Sequence, residues 1–124
     1  MSRRVLIVDD EFGLAEVVAE MLTERGFQTV LAINGQLALE RVREQAFDLV
    51  LLDCMMPILD GSGVVRALRA DPATEKLPVI LMSALPHTVP LDVQALACTL
   101  LRKPFSPAEL FDAIERCLVS AGSR

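Results

Sequence analysis

Apolar residues gather along the chain into five short runs, residues 5–8, 29–33, 49–52, 79–82 and 100–101. They are continuous rather than alternating, which predicts strands covered on both faces, as in a parallel sheet. Between them the period lengthens. Leu14, Val17, Val18, Met21 and Leu22 recur at helical spacing, and Gly26 follows as a stop. A second helix carries Ala38, Leu39 and Val42 on one face, and a third carries Val64, Val65 and Leu68 before Asp71-Pro72 ends it. The last is the best marked: Ser106-Pro107-Ala108-Glu109 reads as a capping box with proline in the first turn. Leu110, Phe111, Ile114, Cys117 and Leu118 then supply its buried stripe. Pro86 and Pro90 leave room only for a late, short fourth helix. Strand–helix alternation repeated five times predicts an α/β fold, a doubly wound parallel sheet of five strands.

Composition narrows the function. Of 124 residues 52% are hydrophobic, enough for one core, so a single domain over residues 1–120 with a polar tail at 121–124 is expected. Aromatics are 4%, with no Trp or Tyr, which argues against a base-stacking platform; a net charge of −5 argues against a general polyanion binder. No direct nucleic-acid partner is expected. Any phosphate site has to be local and has to recruit a cation. The first apolar run is too short for a signal peptide or a membrane span, so no membrane partner is expected and the cytoplasm is the expected location. Cys54, Cys98 and Cys117 form no C-x-x-C pair and are expected to be reduced packing residues.

Candidate chemistry lies at the strand ends. Asp9, Asp10 and Glu11 follow the first strand, Asp53 the third, Ser83 the fourth and Lys103 the fifth. In an open α/β sheet these carboxyl ends form the ligand-binding edge. Carboxylates ~4 Å apart repel by about 4 kcal/mol at an effective dielectric near 20, so such a cluster calls for a cation. Mg²⁺ suits carboxylates, waters and phosphate oxygens together. An Asp carboxylate can attack phosphorus, a lysine can balance the phosphoryl charge, and a serine hydroxyl can hydrogen-bond the product.

The runs Val8-Asp9-Asp10-Glu11, Asp53-Cys54-Met55-Met56-Pro57 with Asp60-Gly61, Ser83-Ala84 and Lys103-Pro104-Phe105 resemble the signature of bacterial response-regulator receiver domains over nearly the whole chain. The resemblance implies a flavodoxin-like fold of strand order 2-1-3-4-5 with five helices. It implies a phosphorylation switch of a two-component system rather than a conventional enzyme. Asp53 would be the phosphoacceptor. Mg²⁺ would be held by Asp10, Asp53 and the Met55 backbone carbonyl, with Asp9 acting through a water. Ser83 and Lys103 would read the phosphoryl group, and the Lys103–Pro104 peptide would be cis. The implied partners are a sensor histidine kinase and an output domain or partner protein. Two positions depart from the family: Leu100 stands where an aromatic switch residue is usual, and Leu96 where a small one is common before Ala97.

Other residues read more plainly. Asp60-Gly61 is a turn, and His87 sits in a proline-flanked loop as a solvent-facing side chain. From Thr88 to Leu101 the only charged residue is Asp92, and Val89, Leu91, Val93, Leu96 and Leu101 cannot all turn inward from a short helix. An exposed apolar patch is therefore expected on the fourth helix–fifth strand–fifth helix face, mediating a homodimer or partner docking. An aspartyl-phosphate phosphatase would need an acid two residues past Asp53, where Met55 stands; an FMN carrier would not place Asp9-Asp10-Glu11 at its phosphate loop. The remaining alternative is a receiver-like interaction module that phosphate does not switch.

Overall fold

A computed structural model describes residues 3–56 and 58–122; Pro57, part of the motif above, lies outside them, as do residues 123–124 of the expected tail. Strands β1 (Arg4–Val8), β2 (Gln28–Ala32), β3 (Leu49–Asp53), β4 (Val79–Ser83) and β5 (Thr99–Arg102) alternate with helices α1 (Phe12–Glu24), α2 (Gly35–Glu44), α3 (Gly61–Ala70), α4 (Leu91–Gln94) and α5 (Pro107–Gly122). The sheet is parallel throughout in the order β2-β1-β3-β4-β5, as expected. Each strand is close to its sequence-predicted span. Most differences fall at polar ends, where Arg4, Gln28, Asp53, Ser83, Thr99 and Arg102 join strands although nothing apolar marks them. Ile33, expected in the second strand, lies just past its end.

Successive strand residues point to opposite faces, and both faces are covered. Val5, Ile7, Leu49, Leu51, Ile80 and Met82 meet α1 and α5 through Ala15, Val18, Leu22, Leu110, Ala113 and Ile114. Leu6, Val8, Val50, Leu52, Val79 and Leu81 meet the other layer through Ala38, Val64, Val65, Leu68 and Val93. The continuous apolar runs are thus the mark of strands with no solvent face. Val17, placed on the buried stripe of α1 from its spacing, is instead 52% exposed, because the stripe narrows to Ala15, Val18 and Leu22.

Three corrections follow. The fourth helix is late and short, as the prolines implied, running Leu91–Gln94 after a 3-10 turn at Pro86–Thr88. That unwinding lets Val89 and Val93 sink into the core and Leu96 pack half-buried. Leu101 packs on the opposite sheet face with α5, so the expected apolar patch reduces to Leu91, 81% exposed. Cys98 and Cys117 are not separate thiols but a disulfide, because α5 folds back over the start of β5 and brings their Cα atoms to 6.0 Å. Finally, α5 runs to Gly122, two residues into the segment expected as a tail.

Candidate functional site

The sheet ladder carries the polar residues to one edge. Past the strand ends, the Asp9 amide donates to the Ala32 carbonyl, Cys54 to Met82 and Lys103 to Ser83. The ladder pairing thus continues one residue past the ends of β1, β3 and β5, at Asp9, Cys54 and Lys103. Asp9, Asp53 and Ser83 are buried polar residues, at 1%, 4% and 1% exposure, while Asp10 faces solvent. Carboxylate oxygens of Asp9, Asp10 and Asp53 lie within 4.8 Å of one another.

Lys103 organises this cluster. Its Nζ donates to Asp9 Oδ2 at 2.9 Å and lies 3.6 Å from Asp53 Oδ1 and 3.8 Å from Glu11 Oε1. The Lys103–Pro104 peptide is cis, as the resemblance implied. Burial works against the ammonium, yet the hydrogen bond to Asp9 and the charges of Asp53, Asp9 and Glu11 outweigh it, and the pKa lies above its ordinary value. For Asp53 the balance goes the other way. Burial first, then the Asp9 charge, push its carboxyl up to about 6, against the opposing pull of Lys103 and the Met55 amide. One ammonium thus faces three carboxylates in a pocket of hard oxygen donors. That surplus of negative charge fits a divalent cation such as Mg²⁺.

The neighbours fix these groups in place. The Glu11 amide donates to Asp9 Oδ1 at 2.9 Å, and the Leu85 amide to Ser83 Oγ at 3.0 Å, so both side chains are aimed by the loop that follows them. Asp60, read as a turn residue, caps α3 by accepting from the Gly63 amide. Gly61, read with Asp60 only as a turn, also has a packing role. A Cβ there would lie 2.7 Å from the Asp53 carbonyl oxygen and 2.8 Å from Cys54 Cα, so its bare backbone lets α3 abut the end of β3. Burial and the Asp53 and Asp60 charges push the Cys54 thiol up to about 11, which disfavours its thiolate. Met55 and Leu85 stand exposed beside the pocket, Leu100 is half-buried against the second core layer, and His87 is exposed.

The family model for the response regulator receiver domain matches residues 5–115. The chain belongs to the response regulator receiver family. This receiver domain is 33% identical over 120 residues to the sporulation initiation phosphotransferase F of Bacillus subtilis, covering 95% of both chains. It is 41% identical over 112 residues to the DNA-binding response regulator MtrA of Mycobacterium tuberculosis, covering 89% of this chain and 48% of that protein. It therefore spans about half the length of the MtrA relatives it matches. Among solved structures, the chemotaxis protein CheY4 of Vibrio cholerae superposes with a TM-score of 0.86 at 29% identity, covering 95% of this chain and all of that one. The receiver domain of sensor histidine kinase PA1611 from Pseudomonas aeruginosa, solved with magnesium coordinated in its active-site cleft, gives 0.88 at 29% identity, over 96% and 99% of the two chains. An interaction module indifferent to phosphate is not favoured by this company. Among the described residues, no helix is long and apolar enough to cross a membrane.

Proposed function

We propose that this receiver domain is a phosphorylation switch in which Asp53 takes a phosphoryl group from the phosphohistidine of a sensor histidine kinase. The observation that carries the reading is the nearly buried Lys103 ammonium, within 3.6 Å of both Asp9 and Asp53 in a pocket of three converging carboxylates. An Asp53 oxygen attacks the phosphorus, the P–N bond breaks, and the imidazole leaves with a proton. Lys103 balances charge on the transferring oxygens, and the Ser83 hydroxyl turns from the Leu85 amide to meet the acyl phosphate. Asp10, Asp53 and the Met55 backbone carbonyl would hold Mg²⁺, with Asp9 acting through a water. Bound there, the ion supplies electrostatic neutralisation of the phosphoryl oxygens.

Incubation with acetyl phosphate followed by intact-mass measurement tests the assignment. One phosphoryl group should add in Mg²⁺, with no addition in EDTA or in Asp53→Asn. Equal labelling of that variant overturns it.

An output domain or a separate partner protein reads the switch on the face of α4, β5 and α5. A homodimer through this face rests on Leu91 as its apolar anchor, flanked by the exposed Arg66–Asp92 ion pair at 2.6 Å. Sedimentation with beryllofluoride should show self-association that Leu91→Glu removes; a monomer in every state rules the dimer out.

A further inference from the structure

The disulfide joins the start of β5 to α5, two elements of the face on which the switch is proposed to be read. Cys98 stands directly before β5, its amide bonded to the Val79 carbonyl at 2.7 Å, and Cys117 lies on the buried face of α5 among Ile80, Leu101 and Ile114. The far end of β5 delivers Lys103 to the phosphoacceptor pocket, about 16 Å along the strand from Cys98. The cross-link therefore anchors one end of the strand whose other end holds the site's cation.

The bond is also reachable. Cys98 is an exposed residue while Cys117 is 2% exposed, so Cys98 is the side from which an incoming thiolate can approach. A cleft of about 320 Å³ opens onto both cysteines, walled by Arg69, Lys76 and Glu75. Among the described residues the Arg69 guanidinium bonds the uncharged carbonyls of Leu96 and Thr74, which do not cancel its charge. Two cations against one acid favour an anionic visitor.

We propose that Cys98–Cys117 is a reversible thiol–disulfide site whose co-substrate is an anionic low-molecular-weight thiol, and that its redox state sets how tightly β5 is tied to α5. The thiolate attacks Cys98 Sγ, the S–S bond breaks, and Cys117 leaves as a thiolate that takes up a proton. A second thiol then resolves the mixed disulfide at Cys98, so two thiols are oxidised as one protein disulfide is reduced. The inference does not depend on Asp53 being phosphorylated.

Poising the full chain in glutathione redox buffers and counting thiols after unfolding tests it. One free thiol, Cys54, is expected at the oxidising end and three at the reducing end, reversibly, while Cys98→Ser shows two throughout. Reduction should speed amide exchange in residues 99–102 and 107–118 several-fold. Lys76→Gln, an exposed change, should slow reduction by glutathione two-fold or more without affecting reduction by neutral mercaptoethanol. Three thiols at every poise, or exchange indifferent to redox state, overturns the site. Equal slowing with both reagents overturns the anionic co-substrate.

Discussion

Asp53 is held in the pocket at an electrostatic cost. Its carboxyl titrates near 6 in the folded chain against an ordinary 3.8, chiefly through burial and the neighbouring Asp9. Between those values the folded state binds more protons than the unfolded one, so stability falls as pH rises through the window. The whole cost is present above pH ~7 and absent below pH ~4. Asp53→Asn should therefore stabilise the metal-free protein at pH 7.5 by about 2 kcal/mol, a rise of several degrees in Tm, and by almost nothing at pH 4. Thermal melts in EDTA across that range check it; a gain independent of pH would assign the effect to packing. Gly61 works by shape rather than charge. A methyl there meets the backbone of Asp53 and Cys54, which cannot swing aside as a side chain could. Gly61→Ala should cost about 1–3 kcal/mol in urea unfolding and slow Asp53 labelling as α3 backs away. A variant with wild-type stability and labelling would show that the contact yields freely.

On the proposed function, the loops after β3 and β4 should decide how long a phosphoryl group stays on Asp53. Met55 and Leu85 flank the pocket, 57% and 45% exposed, and neither can orient a water in line with the phosphorus. Met55→Asn with Leu85→Glu should speed loss of the label several-fold, followed by mass or radiolabel decay; unchanged decay would place control elsewhere. These loops also mark where elements were and were not legible. Strands β1, β3 and β4 could be read directly because both faces are buried and the apolar run is unbroken. The start of α5 could be read because its cap is local: Ser106 and Glu109 exchange bonds of 2.9 and 3.1 Å, as their spacing implies. In α4 the proline spacing foretold a short helix, but not that unwinding would turn Val89 and Val93 inward. Ile58 carries a φ of 72° in the β3–α3 loop, costly for a β-branched residue, and nothing in the apolar pattern announces it. The disulfide was hidden for the same reason. It depends on where α5 lands on β5, not on spacing along the chain.

At the scale of the whole molecule, the candidate site is legible because topology does the gathering: four strand ends carry Asp9, Asp53, Ser83 and Lys103 to one edge. What the pattern could not supply is the balance of charge there, since it turns on which carboxylate Lys103 meets. That balance can be separated from the diffuse net charge of −5. Diffuse repulsion is relieved by any salt, over a Debye length of about 10 Å at 0.1 M. Relief of the buried pocket needs a cation inside it. Mg²⁺ bound only by the folded state stabilises by about 1.4 kcal/mol at ten times its Kd. With Asp53 among the proposed ligands, binding would require it to be ionised, so this gain should grow as pH rises through 6, over the window in which the metal-free protein weakens. Mg²⁺ should raise Tm by a few degrees at pH 7.5 and hardly at all at pH 5, with NaCl at matched ionic strength as the reference. If NaCl gives the same rise, or if the Mg²⁺ gain persists undiminished at pH 5, the ion is screening the surface rather than filling the pocket of Asp9, Asp10 and Asp53.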